Sequence, residues 1–287
     1  MTPTMSDRPR RTRPARAPRV LHLVALVAVA ALLAACSDAH TATEKQQAEG
    51  GTDPRVITVF QPPELLAAMK ALAQAFGHDH PDVAFVYATG NSNEQRKKVD
   101  DGATPSVWVD TAASIDGFAT DSRSQGPAFD LGNDVLQFVF KDGNPLHIHD
   151  LGVFGPNGGP YPGARTGLCK SDTRCGVSSG KLLVQHRIDA TPTLRAPDGD
   201  QLVSSIVGGT LDAALVYRTS SAPLGSQLDL EPLDPPTTGV VDYHLLRMTT
   251  SDTAAEFQDW LSTGAAKAVL TTQGLLPMIV ATPGSGS

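Results

Sequence analysis

From Arg55 onward, apolar runs short enough to be strands alternate with segments of helical period. That alternation confines the chain to an α/β fold with parallel strand pairing. Residues 56–60 form a buried-strand run closed by Pro62-Pro63. Leu65, Met69, Leu72 and Phe76 then recur at spacings of 4, 3 and 4, which predicts a helix over 64–76 with one apolar face. A strand over 83–87, a polar helix over 93–101, a strand over 107–109 and a helix over 112–119 follow. Residues 135–140 (VLQFVF) read as another buried strand, ended by Asp142-Gly143-Asn144-Pro145. After a Gly- and Pro-rich stretch at 152–167, helices are expected over 175–186 and 201–207, with a strand over 213–217. Residues 224–239 read as a loop that returns the chain to its first half. A strand over 241–248 and helices over 254–261 and 265–273 complete the body.

The first 54 residues have a different character. Residues 1–35 hold six arginines and one acid, Asp7, a net +5. The apolar run 20–33 is too short for a comfortable membrane span and has the form of a secretory signal. It ends in Leu33-Ala34-Ala35-Cys36, which resembles a bacterial lipobox, so cleavage before Cys36 and lipidation of Cys36 are expected. Arg10-Arg11 is a weaker hint of twin-arginine export. Residues 36–54 are polar and read as a flexible tether, and 281–287 as a disordered tail. The chain carries −7 in total, which leaves −12 for residues 36–287. A body that acidic excludes non-specific nucleic-acid binding, since phosphates would be repelled.

With Cys36 lipidated, Cys169 and Cys175 remain, six positions apart in a compartment that permits disulfides. They are expected to pair, the alternative being two free thiols in a packed turn. Two cysteines without a CxxC do not make a zinc site, and no metal is expected.

Four segments in order resemble one family. They are the opening 56–109 with its ITVF strand and His80-Pro81-Asp82-Val83 turn, then NDVLQFVFKDGNP (133–145), GLCKSDTRCG (167–176) and GGTLDAALVYRTSS (208–221). Together they are similar to the molybdate-binding proteins of ABC transporters, over residues 55–280. The resemblance implies a type II periplasmic-binding fold: two α/β lobes, each a mostly parallel sheet flanked by helices, joined by two crossovers around a ligand cleft. It divides the body into lobe I (55–134, with a return segment 239–280) and lobe II (135–238). It also implies a monomer without a cofactor, anchored by its lipid to the outer face of the cytoplasmic membrane. The protein would pass a small oxyanion, molybdate or tungstate in the family, to an ABC permease. The mechanism would be binding and lobe closure, not catalysis.

An oxyanion needs donors, and helix N-termini supply them through unpaired N–H groups and the positive end of the dipole. The resemblance carries four positions onto such a site. Ser92, in Thr89-Gly90-Asn91-Ser92-Asn93, falls on the second binding serine, although it also reads as an N-cap. Cys175-Gly176 opens the lobe II helix and would contribute backbone N–H groups. Gly199, or Asp200, starts the helix after Pro197 and aligns with a further backbone donor. Tyr217 matches the binding tyrosine, against a plain half-buried strand tyrosine. The first binding serine is missing. Gln61-Pro62-Pro63-Glu64 stands there, with two residues that lack an N–H and an acceptor in place of a hydroxyl. Glu64 either turns outward along its own helix or faces the cleft, where it would repel a dianion and admit a ligand with a donor or positive group.

Three other signals carry less. Gly176-Val177-Ser178-Ser179-Gly180 matches G-x-S-x-G, but inside a predicted helix start and not at a nucleophile elbow. His78/His80 and His147/His149 lie beside turn signals, where exposed histidine is ordinary. Lys97-Lys98 and Asp100-Asp101 read as a solvated helix face. The alternative to transport is a binding-fold lipoprotein that serves in envelope interaction or sensing.

Overall fold

The computed structural model describes residues 55–119, 122–231, 233 and 239–277. The signal segment, Cys36, the tether and the tail lie outside these residues.

The chain runs β1 (Arg55–Gln61), α1 (Leu66–Gly77), β2 (Val83–Thr89), α2 (Ser92–Asp100), β3 (Val107–Thr111), α3 (Ala112–Ala119) and β4 (Phe129–Asp134). It continues through β5 (Leu136–Lys141), β6 (Thr166–Cys169), α4 (Arg174–Gln185), β7 (Leu194–Ala196), α5 (Gly199–Val207), β8 (Ala213–Tyr217), the short α6 (Arg218–Ser221) and β9 (Leu228–Glu231). It closes with β10 (Val241–Arg247), α7 (Asp252–Leu261) and α8 (Gly264–Thr272).

These strands make two five-stranded sheets, ordered β2-β1-β3-β10-β4 and β7-β6-β8-β5-β9. Each is mixed. The βαβ portions pair in parallel, as the sequence alternation requires. The strands next to the crossovers, β10 with β4 in one sheet and β5 with β9 in the other, run antiparallel to their neighbours.

The periodicity of the first helix translates directly into packing. Leu65 lies in a 3-10 turn opened by Pro63. It is fully buried, like Leu72 and Phe76, and Met69 is nearly so. This face covers Ile57 and Val59 of β1 and Val107 and Val109 of β3, and α7 and α8 add Phe257, Leu261 and Leu270. On the other face of the same sheet, Phe60 and Trp108 pack with Val99 of α2 and Ile115 and Phe118 of α3. The second sheet has its own core, in which Phe138, Phe140, Leu168 and Leu215 meet Leu182 and Leu183 of α4 and Leu202 and Ile206 of α5.

Four strands were not legible from local pattern, among them β6, which begins inside the Gly- and Pro-rich stretch. β4 (FDLGND) is mostly polar and includes Gly132 at φ +120°, where an added Cβ would lie 2.4 Å from the Leu276 carbonyl oxygen. β7 has three residues, below the usual strand length. β9 lies within the expected loop 224–239 and is an edge strand that buries Leu228 but leaves Leu230 48% exposed. Apart from the short α6, which was not expected, the other helices and strands fall within a few residues of the expected bounds.

One residue, Val135, separates β4 from β5 and so links the two sheets. Asp134 before it is fully buried. It accepts hydrogen bonds from Val135 N (2.9 Å), Thr219 N (3.3 Å) and Thr219 Oγ1 (2.6 Å). The Arg218 N–H donates to the Val135 carbonyl at 3.0 Å, which ties this crossover to the end of β8.

Candidate functional site

The carboxyl ends of the strands in both sheets face one cleft of about 780 Å³, where open α/β sheets place their ligands. Glu64, Ser92, Cys175, Gly199 and Tyr217 all line it. The fold thus brings together residues that span more than half the length of the chain.

Several helix N-termini open toward the cleft, and the caps of α2, α5 and α4 differ. At α2, Asn91 Oδ1 accepts from Glu94 N and Glu94 Oε2 accepts from Asn91 N, both at 3.0 Å, a capping box that leaves a carboxylate over the helix end. At α5, Asp198 Oδ1 accepts from Gln201 N at 2.8 Å, again a carboxylate. At α4 the cap is neutral: Thr173 Oγ1 accepts from Gly176 N at 3.1 Å and donates to the Lys170 carbonyl at 2.7 Å. Of these three caps only that of α4 is a hydroxyl and not a carboxylate or its capping box, which leaves its dipole end less covered. Helix α3, capped by Thr111 at the same cleft, shares this, and Asp172 lines the cleft beside the α4 cap.

The α4 turn is held covalently by a disulfide between Cys169, at the end of β6, and Cys175, with Cα atoms 5.7 Å apart. Gly176 is fixed by space as well, since a Cβ there would lie 1.9 Å from the Lys170 carbonyl oxygen. Its own N–H is taken by Thr173. Gly176→Ala is expected to lower stability by about 1–3 kcal/mol through overpacking, read as a lower urea midpoint. An unchanged midpoint would mean that the turn relaxes freely. One turn into α4, Ser178 Oγ and Tyr217 OH hydrogen-bond at 2.7 Å. Burial pushes the Tyr217 phenol up to about 12, only partly offset by the Ser178 bond, so it stays protonated and can donate. Ser178, the serine of the G-x-S-x-G pattern, thus sits within α4 and bonds to a tyrosine, not to a histidine.

The centre of the site is a charge cluster that the sequence did not announce. Arg174, the first residue of α4, reaches across to the side of the first sheet. Its Nη2 donates to Asp110 Oδ1 and to Ser92 Oγ, both at 3.1 Å. Its Nη1 lies 3.4 Å from Glu64 Oε1, and its guanidinium sits 5.4 Å from the centre of the Tyr243 ring, within cation–π range. Ser92 Oγ donates its proton to Asp110 Oδ1 at 2.8 Å, and the Thr111 N–H donates to the same oxygen at 2.7 Å. Asp110 is fully buried, and its Oδ2 makes no hydrogen bond. Glu64 faces inward: its side chain is 18% exposed, and its Oε1 accepts from Tyr243 OH at 3.1 Å. Burial alone would lower the Arg174 pKa, but Tyr243, Glu64 and Asp110 outweigh it and raise it. Burial first, and then Glu64, raise Tyr243 well above the usual phenol range.

Sequence reasoning found Ser92, Glu64 and Tyr217 but missed Arg174, Asp110, Ser178 and Tyr243. The signal for Asp110 was a lone acid at the carboxyl end of a buried strand, Val107-Trp108-Val109-Asp110. Arg174 stood beside Cys175 with nothing to separate it from a solvated arginine. Among the described residues, no group of three or more His, Cys, Asp or Glu is placed to hold a metal ion, and no helix is long and apolar enough to cross a membrane.

Two mixed five-stranded sheets flanked by helices, with a cleft at their strand ends, define the type II periplasmic-binding fold. Residues 57–276 match the family model described as bacterial extracellular solute-binding protein, and the chain belongs to that family. It is an exported binding protein, not an enzyme. No curated protein matches the chain by sequence. Similar solved structures include a substrate-binding domain assigned to a molybdenum ABC transporter from Clostridium difficile (12% identity, TM-score 0.60, covering 78% of this chain and 99% of that one). The periplasmic molybdate-binding protein of Azotobacter vinelandii is similar at 18% identity and TM-score 0.56, covering 77% and 100% of the two chains. The sulfate-binding protein of Mycobacterium tuberculosis H37Rv is similar at 18% identity and TM-score 0.53, covering 79% and 88%.

Proposed function

We propose that this chain is the solute-capturing component of an ABC importer, and that it binds its solute through an oxyanion group at the N-terminus of α4. The neutral cap of that helix carries the reading. Thr173 caps the helix with a hydroxyl and not a carboxylate, and the mutually bonded Ser178–Tyr217 pair stands beside it with one hydroxyl proton free to donate. Lobe I, residues 55–134 and 239–280, and lobe II, residues 135–238, close on the solute by hinge motion. The protein works as a monomer, held at the outer face of the cytoplasmic membrane by a lipid on Cys36. The oxyanion-binding names among its structural neighbours support the class of ligand.

Glu64 limits the charge of that ligand. Each ligand charge about 4 Å from it costs roughly 1 kcal/mol in water-like surroundings and about 4 at an effective dielectric of 20. Molybdate and tungstate, the ligands the family resemblance suggests, are therefore disfavoured against singly charged oxyanions. Thermal unfolding with molybdate, tungstate, sulfate, phosphate, small carboxylates and phosphate monoesters tests the reading. A bound ligand at 100 times its Kd stabilises the fold by about 2.7 kcal/mol, and at least one member of the panel should do so. A second reading, an envelope interaction or sensing role without transport, is favoured by one observation: Arg174 bridges the lobes where a solute would enter. No stabilisation by any member of the panel would reject the oxyanion reading in its favour.

A further inference from the structure

Resting on that oxyanion reading, we infer that the solute also carries a positively charged hydrogen-bond donor, received by Glu64. The ligand is then a small organic zwitterion and not an inorganic oxyanion.

The charge count is the first argument. One guanidinium faces two carboxylates. Arg174 makes its hydrogen bonds to Asp110 and Ser92, and Asp110 is fully buried. Arg174 Nη1 lies near Glu64 but makes no hydrogen bond. The single guanidinium is therefore shared between Asp110 and Glu64, and Glu64, whose Oε1 also accepts from Tyr243 OH, stays under-compensated in charge on the cleft wall. The preceding residues, Pro62 and Pro63, also line the cleft and have no N–H to offer. This stretch of lobe I thus presents an acceptor, and the α4 side of lobe II presents donors. A solute that satisfies both is positive at one end and anionic at the other. A purely anionic solute would leave a partly desolvated carboxylate facing a second negative charge.

Size and lining agree. A cleft of about 780 Å³ lies in the range of roughly 300–1,000 Å³ usual for organic ligands. A bare tetrahedral oxyanion would leave most of it to water. The wall includes the apolar groups Pro62, Pro63, Val177 and Val240. Val177 and Val240 are 44% and 38% exposed, which suits a short carbon chain between the charged ends.

Matched pairs of compounds that differ in the ammonium group test this by isothermal titration of the full-length protein. The pairs are O-phosphoethanolamine against ethyl phosphate, and β-alanine against propionate, with molybdate alongside. In at least one pair the ammonium compound should bind about ten- to a hundredfold tighter, the range for a charged hydrogen bond. Glu64→Gln should remove most of that preference. Equal or tighter binding of the compounds without an ammonium would overturn the inference and leave the oxyanion reading standing. So would binding of molybdate with none by the ammonium compounds. A preference for the ammonium compound that survives Glu64→Gln overturns the assignment to Glu64. No binding by any of these compounds counts against the oxyanion reading itself, and this inference falls with it. The wild-type comparison of each pair needs no variant, so poor folding of Glu64→Gln would not spare the inference.

Discussion

Arg174→Ala is expected to lower the stability of the folded protein by about 3 kcal/mol, at the lower end of the range for removing one partner of a buried ion pair. The loss comes from what stays behind. Asp110 is fully buried, and Arg174 is the cation bonded to it. Without the guanidinium, Asp110 keeps two donors, Ser92 Oγ and Thr111 N, but no compensating charge. Water entering a more open cleft would relieve part of this, since the Arg174 side chain is already 20% exposed; hence the lower end of the range. Glu64 contributes less to the loss, because it borders the cleft and can be hydrated. Arg174→Lys should recover little, since an ammonium lacks the planar fork that reaches Asp110 and Ser92 together. The double variant Arg174→Ala/Asp110→Asn should recover most of the loss, since it removes the orphaned charge and not merely the contact. Urea unfolding of the three variants measures this. Equal midpoints for Arg174→Ala and the wild type would mean that Asp110 finds solvent or a proton in the folded state. In that case the cluster contributes nothing to holding the lobes together.

The fold was readable in the sequence where packing follows from local pattern. The 4, 3, 4 spacing of Leu65, Met69, Leu72 and Phe76 needs no partner to be recognised, and all four are buried. The polar or short strands β4, β6, β7 and β9 were not readable, because each is held by neighbours in its sheet more than by its own residues. The site divides in the same way. Ser92 and Tyr217 could be placed because each ends or begins an element inside a linear motif. Glu64 could be named, but its direction could not be fixed from sequence. Its orientation depends on Tyr243, 179 positions away, and on Arg174 in the other lobe. Tyr243 reaches the site only because β10 pairs antiparallel with β3, which sets Tyr243 opposite Thr111, next to Asp110. That pairing is a property of strand order, and no local period encodes strand order.

Asp134→Asn is expected to make the protein more stable above neutral pH and to change little in acid. Burial raises the carboxyl of Asp134 to about 7, against the pull of hydrogen bonds from Thr219 and Val135, and Glu64 adds to the rise. In the unfolded chain the same group titrates near 3.9. Between about pH 4 and pH 7 the folded protein therefore holds a proton that the unfolded chain has lost. Stability contributed by this group accordingly falls as pH rises through that window, by at most about 1.4 kcal/mol per unit, and levels off above pH 7. The accumulated loss is on the order of a few kcal/mol. Asparagine holds no titrating proton. Its oxygen can accept from the Val135 and Thr219 N–H groups, and its amide can donate to a rotated Thr219 hydroxyl. The difference in unfolding free energy between variant and wild type should thus be near zero at pH 4, grow through pH 5 and 6, and reach its plateau by pH 8. Other titrating groups cancel in that difference unless they contact Asp134. A difference that does not vary with pH would mean that Asp134 is already ionised in the folded state. The crossover would then be held by charged hydrogen bonds, and the substitution should destabilise it instead. Because Asp134 and Thr219 join the β4–β5 link to the end of β8, the sign of this one measurement also tells whether the crossover between the two sheets is held by neutral or charged contacts.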